Sequence, residues 1–313
     1  MTRIDARTAL LMTLPPLLWA GNAVVGRLVV GSVPPLTLNF LRWALAALLL
    51  LPLGWRVLRR PRALLARWQH LLLLGLLGVG TYNAMQYLAL VTTTPLNVTL
   101  IAAGTPVTML AVGALAYREH PTRRQLAGAL LSIAGVLLVI ARGDPAALMQ
   151  VRFVRGDLYI VVAIVAWSFY SWRLARPPAS MRGAQAPTIA RQGGEEGWNW
   201  AEFLLVQTLF GLLGAGAAAA GEFALGAAPI QWNGWVLAAF AYVAIGPSII
   251  AYRCWGLGVA RGGPALAAFF GNLTPLFAAL LSVLALGEAP RWFHALAFAL
   301  IVGGIVVSSR RVA

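Results

Sequence analysis

The chain is poor in the residue types on which most catalytic and metal sites depend. Its 313 residues include no lysine, one cysteine, three histidines and nine acidic residues. Because Cys254 is the sole cysteine, an intramolecular disulfide and a cysteine-based metal cluster are excluded. The sequence also lacks the H-E-x-x-H motif of metalloproteases, paired mid-membrane aspartates, and a serine or histidine in a catalytic setting. We therefore predict that the protein is not an enzyme and uses no metal ion or cofactor.

The low charge content excludes a soluble domain. Charged residues make up 11% of the chain, whereas soluble domains carry about 25%. Hydrophobic residues make up 60%, and the mean hydropathy is +0.79. A membrane-spanning helix needs about 20 apolar residues, and unbroken apolar runs do not suit a β-barrel. The pattern predicts an all-α membrane protein with ten transmembrane helices. These predicted spans cover roughly residues 9–30, 35–54, 70–90, 95–117, 124–141, 157–175, 201–221, 233–253, 264–286 and 291–308.

The basic residues indicate the topology. The net charge is +15, and all 24 basic residues are arginines. They lie between the apolar runs rather than on one face of a domain, so we predict the lipid bilayer as a partner and no nucleic acid. With the N-terminus in the cytoplasm, eighteen arginines fall in cytoplasmic segments and four in outer segments. This positive-inside bias predicts that both termini are cytoplasmic.

The sequence contains an internal repeat. A shift of 169 residues superimposes Pro95 on Pro264, Thr105-Pro106 on Thr274-Pro275, Glu119 on Glu288, Pro121 on Pro290 and Gly135 on Gly304. A shift of 148 superimposes Trp19 on Trp167, and a flexible cytoplasmic insertion at 176–197, rich in Pro and Gly, explains the difference. We predict two five-helix repeats, 1–146 and 147–313. Because five is odd, the repeats enter the membrane in opposite orientations, an architecture of secondary transporters.

Several segments carry a family resemblance. AAGTPVTMLAVGALAYREHPTRRQLAGALLSIAGVLL and its second copy GNLTPLFAALLSVLALGEAPRWFHALAFALIVGGIVV share a Pro, an apolar span, Glu-x-Pro and a Gly-containing span. With WAGNAVVGR and NFLRWALAALL near the start, the chain resembles the EamA family of the drug/metabolite transporter superfamily. Within it, the chain is most similar to the aromatic and neutral amino acid exporters of the YddG type. The resemblance covers nearly everything outside 176–197 and implies a ten-helix carrier of the bacterial inner membrane, often an amino acid exporter.

Polar and aromatic side chains deep in the predicted spans are the candidate substrate contacts, because polar groups in hydrocarbon are costly unless they are bonded. We predict a central cavity walled by spans 1, 3, 4, 6, 8 and 9. Its candidate residues are Trp19, Asn22, Tyr82, Asn83, Gln86, Trp167, Tyr170, Ser248, Tyr252, Trp255, Phe269 and Asn272. Aromatic faces and amides suit a neutral or zwitterionic solute with an apolar side chain. The alternative is that these groups only join helices or mark the membrane interface.

Prolines, charges and glycines within the spans carry further predictions. Pro106 and Pro275 predict bends in spans 4 and 9, because a proline frees a backbone carbonyl. Arg27 and Arg42 lie toward the outer ends of their spans. Snorkelling is the simple interpretation, and an outer gate or carboxylate anchor is the more specific one. We interpret Glu119 and Glu288, each followed by x-Pro, as capping the next helix. Small residues at Gly75, Gly78, Gly80, Gly211, Gly214 and Gly216 predict close helix packing.

Together these features predict a secondary transporter, with export as the favoured direction, that moves small neutral or zwitterionic metabolites across the inner membrane by alternating access. Amino acids, including aromatic ones, are the favoured substrates. The alternatives are a carrier of sugars, nucleosides or drugs, and a channel-like facilitator. Span 1 lacks the glutamate of small multidrug exporters, which argues against a cationic drug/proton antiporter of that kind. One chain holds both repeats, so a monomer is sufficient in principle.

Overall fold

The computed structural model describes residues 5–93, 95–177, 198–286 and 291–309, and every regular element in these ranges is helical. Most of the predicted insertion and Glu288 lie outside them. The α-helices are α1 (Ala6–Leu28), α2 (Pro35–Gly54), α3 (Pro61–Leu65), α4 (Trp68–Leu74), α5 (Tyr82–Thr92), α6 (Pro95–Ala102), α7 (Thr105–Tyr117), α8 (Arg123–Ile140), α9 (Arg155–Ala175), α10 (Trp200–Ala224), α11 (Gly234–Val243), α12 (Ala251–Gly271), α13 (Leu273–Leu286) and α14 (Trp292–Ser309).

Within the described residues, nine segments are long and apolar enough to cross a membrane. One of them, Gly234–Gly271, has 38 residues and would extend about 57 Å as a straight helix, against a hydrocarbon core of about 30 Å. It does not run straight, because Gly263 has a φ of 84° and is followed by Pro264, which has no N–H to donate. The molecule is therefore a multi-pass helical membrane protein, and the count of ten spans stays a prediction.

Two wide helical turns interrupt the long helices. A first π segment, Gly75–Thr81, connects α4 to α5, and a second π segment, Ala244–Ile250, connects α11 to α12. Pro247 lies inside the second and cannot donate a helical hydrogen bond there. Single-turn π-helical insertions occur frequently at functional sites.

Two further breaks lie near the predicted bends. Residues 103–104 separate α6 from α7, whose first turn contains Pro106. A proline is tolerated in a first turn because its missing N–H has no partner there in any case. Asn272 separates α12 from α13, whose third residue is Pro275.

The helices pack in recurring pairs. The α2 helix packs on α10, and α8 packs on α14. The α1 helix contacts α12 and α13, while α9 contacts α5 and α7. Fully buried side chains at the centre of the bundle include Trp43, Leu50 and Trp255. The arrangement brings α1 and α9 together with the helices that follow the two π segments.

The glycines that were predicted to allow close helix packing differ in how much space surrounds them. A Cβ atom on Gly75 would lie 2.4 Å from the backbone nitrogen of Gly211, and one on Gly211 would lie 2.4 Å from Cβ of Val79. Here the first π segment and α10 touch through their backbones. A Cβ on Gly80 would have its nearest neighbour at 3.7 Å, which is ordinary contact. The small residues are therefore needed at Gly75 and Gly211 but not at Gly80.

Candidate substrate-binding site

A central cavity of about 100 Å³ lies where α1, α5, α6, α7, α9, α12 and α13 meet. These helices belong to predicted spans 1, 3, 4, 6, 8 and 9. The wall combines four aromatic rings with three side-chain amides. The lining residues are Trp19, Ala20, Tyr82, Asn83, Gln86, Val98, Thr99, Ala102, Ala103, Thr105, Trp167, Trp255, Gly271, Asn272, Thr274, Pro275 and Ala278. The chemistry of the wall thus suits an amphipathic solute with an aromatic or aliphatic part and hydrogen-bonding groups.

An aromatic cluster forms one side of this cavity. Trp167 lies at its centre, with ring-centroid distances of 5.2 Å to Trp19, 4.9 Å to Tyr82 and 5.1 Å to Trp255. The Trp19 and Trp167 rings meet edge to face at 89°, a favoured aromatic geometry. These residues come from α1, α5, α9 and α12, so the cluster joins helices from both halves of the chain.

Hydrogen bonds fix the orientation of the outer indoles. The Trp19 Nε1–H donates to the carbonyl of Pro247 at 3.2 Å, and the Trp255 Nε1–H donates to Ser171 Oγ at 3.1 Å. Pro247 lies in the second π segment, so the wide turn supplies an acceptor to the cavity wall. Asn272 Nδ2 donates to Ser132 Oγ at 2.9 Å. Trp19, Trp255 and Asn272 are therefore held in place by hydrogen bonds within the protein.

Beside the cavity lies a cluster centred on Arg42. Its Nη1 donates to Asn22 Oδ1 at 3.1 Å, to Asn83 Oδ1 at 3.1 Å and to the Tyr87 hydroxyl at 2.6 Å. Its Nε and Nη2 donate to Ser248 Oγ at 3.0 and 2.7 Å. The Arg42 side chain is 0% exposed. Arg42 therefore does not snorkel to the interface, and it binds side chains from α1, α5 and the second π segment.

Each acidic side chain in the described ranges binds a residue other than Arg42. Six of the nine acidic residues lie in the described ranges. Their partners are Thr8 for Asp5, Arg176 for Glu119, Ala146 for Asp144, Thr93, Asn97 and Val154 for Asp157, Asn199 for Glu202, and Leu36 and Thr37 for Glu222. The hydrogen-bond acceptors around Arg42 in the described structure are thus all neutral.

A latch connects the ends of α7 and α9, and we define it by Glu119, Arg176, Tyr117 and Trp172. Glu119 forms an ion pair with Arg176. The Tyr117 and Trp172 rings stack with centroids 5.1 Å apart, and the Trp172 Nε1–H donates to the carbonyl of Met109 at 2.8 Å. The interpretation of Glu119 as a helix cap was wrong, because the side chain of Thr122 caps α8.

The structure divides the predicted site residues between four places: the central cavity, the Arg42 cluster, a smaller cavity and the core. The central cavity takes Trp19, Tyr82, Asn83, Gln86, Trp167, Trp255, Asn272 and Pro275. Asn22 and Ser248 join the Arg42 cluster instead. Tyr170 and Tyr252 line a smaller cavity of about 30 Å³, and Phe269 is 0% exposed in the core. The side chain of Arg27 lies outside the described part.

Two residues that pack around the site, Trp43 and Gln207, were not predicted from the sequence. Trp43 is fully buried, with its ring centroid 5.4 Å from the Arg42 guanidinium carbon and 4.8 Å from the Tyr252 ring. Gln207 donates to the Tyr170 hydroxyl at 3.2 Å. The available signal for Trp43 was its position directly after an arginine inside an apolar run.

The comparisons with known proteins agree with this architecture. The EamA-like transporter family matches residues 6–141 and 184–310. An "Uncharacterized transporter" of Archaeoglobus fulgidus is 28% identical, covering 98% of this chain and 99% of the relative. The "Aromatic amino acid exporter YddG" of Ancylobacter novellus is 28% identical, covering 89% of each chain. A solved crystal structure with 26% identity superposes with a TM-score of 0.69 over 97% of both chains. Because the family matches most of the sequence, this multi-pass membrane protein belongs to the EamA-like transporter family.

Proposed function

We propose that the protein exports neutral or zwitterionic amino acids, including aromatic ones, across the bacterial inner membrane. The observation that carries this proposal is the central cavity, which four aromatic rings line together with the amides of Asn83, Gln86 and Asn272. Aromatic rings provide stacking area for an apolar side chain, while amides accept from an ammonium and donate to a carboxylate. The relative named as an aromatic amino acid exporter supports the same substrate class.

We further propose that transport proceeds by alternating access between two inverted five-helix repeats, 1–146 and 147–313. The two π segments, Gly75–Thr81 and Ala244–Ile250, are separated by the same 169 residues as the sequence repeat. The packing of α1 on α12 and α13 has its counterpart in the packing of α9 on α5 and α7. These correspondences support repeats related by a pseudo-two-fold axis, which lets each half adopt the conformation of the other.

Contacts between equivalent residues support the same axis. Asn83 donates to Tyr252 at 3.3 Å and Asn272 donates to the Ala103 carbonyl at 3.4 Å, and both pairs are 169 residues apart. Trp19 and Trp167, equivalent under the shift of 148, touch edge to face. Residues touch their own equivalents only near a symmetry axis. These contacts support a cavity at the repeat interface, where secondary transporters with inverted repeats bind substrate.

The cavity must widen during transport. Its volume of about 100 Å³ is below the roughly 300 Å³ from which ligand pockets usually start. Alternating access supplies that change, because separation of the repeats opens the space between α5 and α6 on one side and α12 and α13 on the other. One chain contains both walls, so we propose that a monomer transports.

The test is counterflow of radiolabelled phenylalanine and alanine into proteoliposomes, with and without a pH gradient. Wild-type protein should give saturable exchange of both amino acids, which also separates a carrier from a channel. Gln86→Ala removes an amide that lines the cavity and has no hydrogen-bond partner among the described residues. A net hydrogen bond of about 0.5–1.5 kcal/mol predicts an apparent affinity about 2- to 12-fold weaker.

The matched control is Gln69→Ala, which removes the same amide from an exposed position at the start of α4. It should exchange both amino acids like the wild type. Absence of exchange by folded wild-type protein would contradict the amino acid assignment, and unlabelled sugars and nucleosides would then be tested as counter-substrates. Equal effects of the two substitutions would contradict the role of Gln86.

A further inference from the structure

Arg42 places a permanent positive charge inside the bundle. Its side chain is 0% exposed and lies about two turns from the start of α2. An arginine stays protonated under all physiological conditions, and a charge buried in the membrane is rare unless it has a counter-charge or a function. The described acids all bind other residues, so the structure offers Arg42 neutral acceptors only. The cluster therefore holds a charge that a solute anion can balance.

The neutral shell of Arg42 is suited to exchange for an anion. Three acceptors, from Asn22, Asn83 and Tyr87, share the two N–H groups of Nη1. Ser248 Oγ accepts from both Nε and Nη2, which are the donors of one edge of the guanidinium fork. Nη1 thus has more neutral acceptors than N–H groups, and a carboxylate there would accept charge-assisted hydrogen bonds, which are stronger than bonds to neutral oxygens.

Single side chains separate Arg42 from two cavities. Asn83 lines the central cavity, and Tyr87 lines another cavity of about 380 Å³ between the ends of α1, α2, α5 and α10. Both side chains bind Arg42 directly. The guanidinium can therefore meet a solute that enters from either cavity once one hydrogen-bonded side chain turns away.

The surrounding backbone shows a second sign of a ligand site. Ser248 belongs to the second π segment, and its Oγ donates to the carbonyl of Val243 at 2.7 Å. Asn83 follows the first π segment by two residues. The indole N–H of the buried Trp43, next to Arg42, has no acceptor in the described structure. Wide turns and an unused buried donor around one cation indicate a built site rather than a simple helix contact.

We propose that Arg42 binds the carboxylate of the transported solute, which exchanges with the neutral oxygens of Asn83 or Tyr87. This deepens the proposed function and rests on it. It narrows the substrate class to solutes that carry a carboxylate, and it excludes amines, amides and neutral sugars as good substrates. Trp19 and Trp167, which line the central cavity, are then free to contact the apolar part of the same solute.

The first experiment measures how three unlabelled compounds inhibit counterflow of labelled phenylalanine by the wild-type protein. The compounds are phenylalanine, phenylalaninamide and 3-phenylpropionate. Phenylalaninamide lacks the carboxylate, and 3-phenylpropionate lacks the amine. We expect phenylalaninamide to require a concentration at least about tenfold higher than phenylalanine, because a bond to a charged group is lost, whereas 3-phenylpropionate should compete. A wild type that exchanges no amino acid would defeat the proposed function. A wild type inhibited equally by phenylalanine and its amide would defeat only the role of Arg42.

The second experiment uses Arg42→Gln and Arg42→Lys, each checked for folding by size-exclusion chromatography. The readout is the ratio of the inhibitory concentrations of phenylalaninamide and phenylalanine, which a purely structural residue would leave unchanged. We expect the ratio to approach one in Arg42→Gln and to keep part of its value in Arg42→Lys, which retains the charge but not the fork. An unchanged ratio in Arg42→Gln overturns the proposal. Arg59→Gln, an exposed arginine, is the matched control.

If Arg42→Gln does not fold, the Tyr87→Phe variant tests the proposal in its place. This change keeps the ring and removes one of the neutral oxygens that compete with a carboxylate for Nη1 of Arg42. We expect phenylalanine to compete at a lower concentration than in the wild type while phenylalaninamide stays unchanged. A shift of equal size for both competitors, or no shift for either, overturns the proposal.

Discussion

At the scale of single residues, the bundle leaves no space for an added atom where Gly75 meets Gly211. A Cβ on Gly211 would lie 2.4 Å from Cβ of Val79 and 2.7 Å from the carbonyl oxygen of Gly75. Both neighbours are fixed by backbone, so neither can move away without shifting a helix. Ten residues further along the same helix, a Cβ on Gly221 would have no neighbour within 4 Å.

We predict opposite effects of the same substitution at these two glycines. Gly211→Ala should lower the free energy of unfolding by about 1–3 kcal/mol through overpacking. Gly221→Ala should be neutral or stabilise by up to about 1 kcal/mol, because alanine favours the helix. Thermal melting of purified protein in one detergent measures both. Equal melting temperatures for the two variants would contradict the backbone contact.

At the scale of helices, the latch between α7 and α9 combines two kinds of interaction of different strength. The Glu119–Arg176 pair has side chains 53% and 48% exposed, and exposed ion pairs contribute at most about 1 kcal/mol. Trp172 is 7% exposed, stacks on Tyr117 and donates to the Met109 carbonyl. Packing should therefore contribute more than charge to holding these helix ends together.

This comparison predicts that Glu119→Gln changes the melting temperature little, whereas Trp172→Ala costs about 3–5 kcal/mol through the cavity it leaves. Melting at low and at high salt separates the two contributions, since salt screens only the ion pair. A loss in Glu119→Gln as large as that in Trp172→Ala would show that the ion pair dominates the latch.

The sequence marks the apolar helices and, through Pro106 and Pro275, two of their breaks, but it does not mark the two π segments. Apolar runs bounded by arginine, glycine and proline mark where a chain enters and leaves the membrane. The π segments carry no such mark, because a turn widened by one residue changes neither composition nor hydropathy. Only Pro247, inside the second π segment, signalled a disturbance.

For the cavity, the sequence indicated which spans line it but not which face of each helix does. Polar and aromatic residues deep in the spans have to face protein, which is why the residues that line the cavity belong to predicted spans 1, 3, 4, 6, 8 and 9. Which face of a helix meets the cavity depends on its rotation and tilt, which packing decides. Tyr252 and Phe269 therefore lie behind the wall rather than on it. For Arg42, position in a span could not separate snorkelling from burial, because that depends on the neighbouring helices.

At the scale of the whole molecule, the arginine distribution makes a prediction about topology that labelling can test. The connection between α2 and α4 contains five arginines, whereas the connection between α8 and α9, three predicted spans further along the chain, contains two. Ala66 and Ala146 are exposed in these two connections. The sole native cysteine, Cys254, is buried, so Cys254→Ala provides a background without reactive thiols.

In that background we predict that Ala146→Cys reacts with a membrane-impermeant maleimide in intact bacterial cells, and that Ala66→Cys reacts only after the membrane is permeabilised. The physical reason is that arginine-rich short connections are retained on the cytoplasmic side during insertion. The protein without cysteine should not label under either condition. Labelling of Ala66→Cys in intact cells would place the N-terminus outside. Labelling of both positions in intact cells would contradict an odd number of crossings between them, and with it the assignment of three spans between these connections.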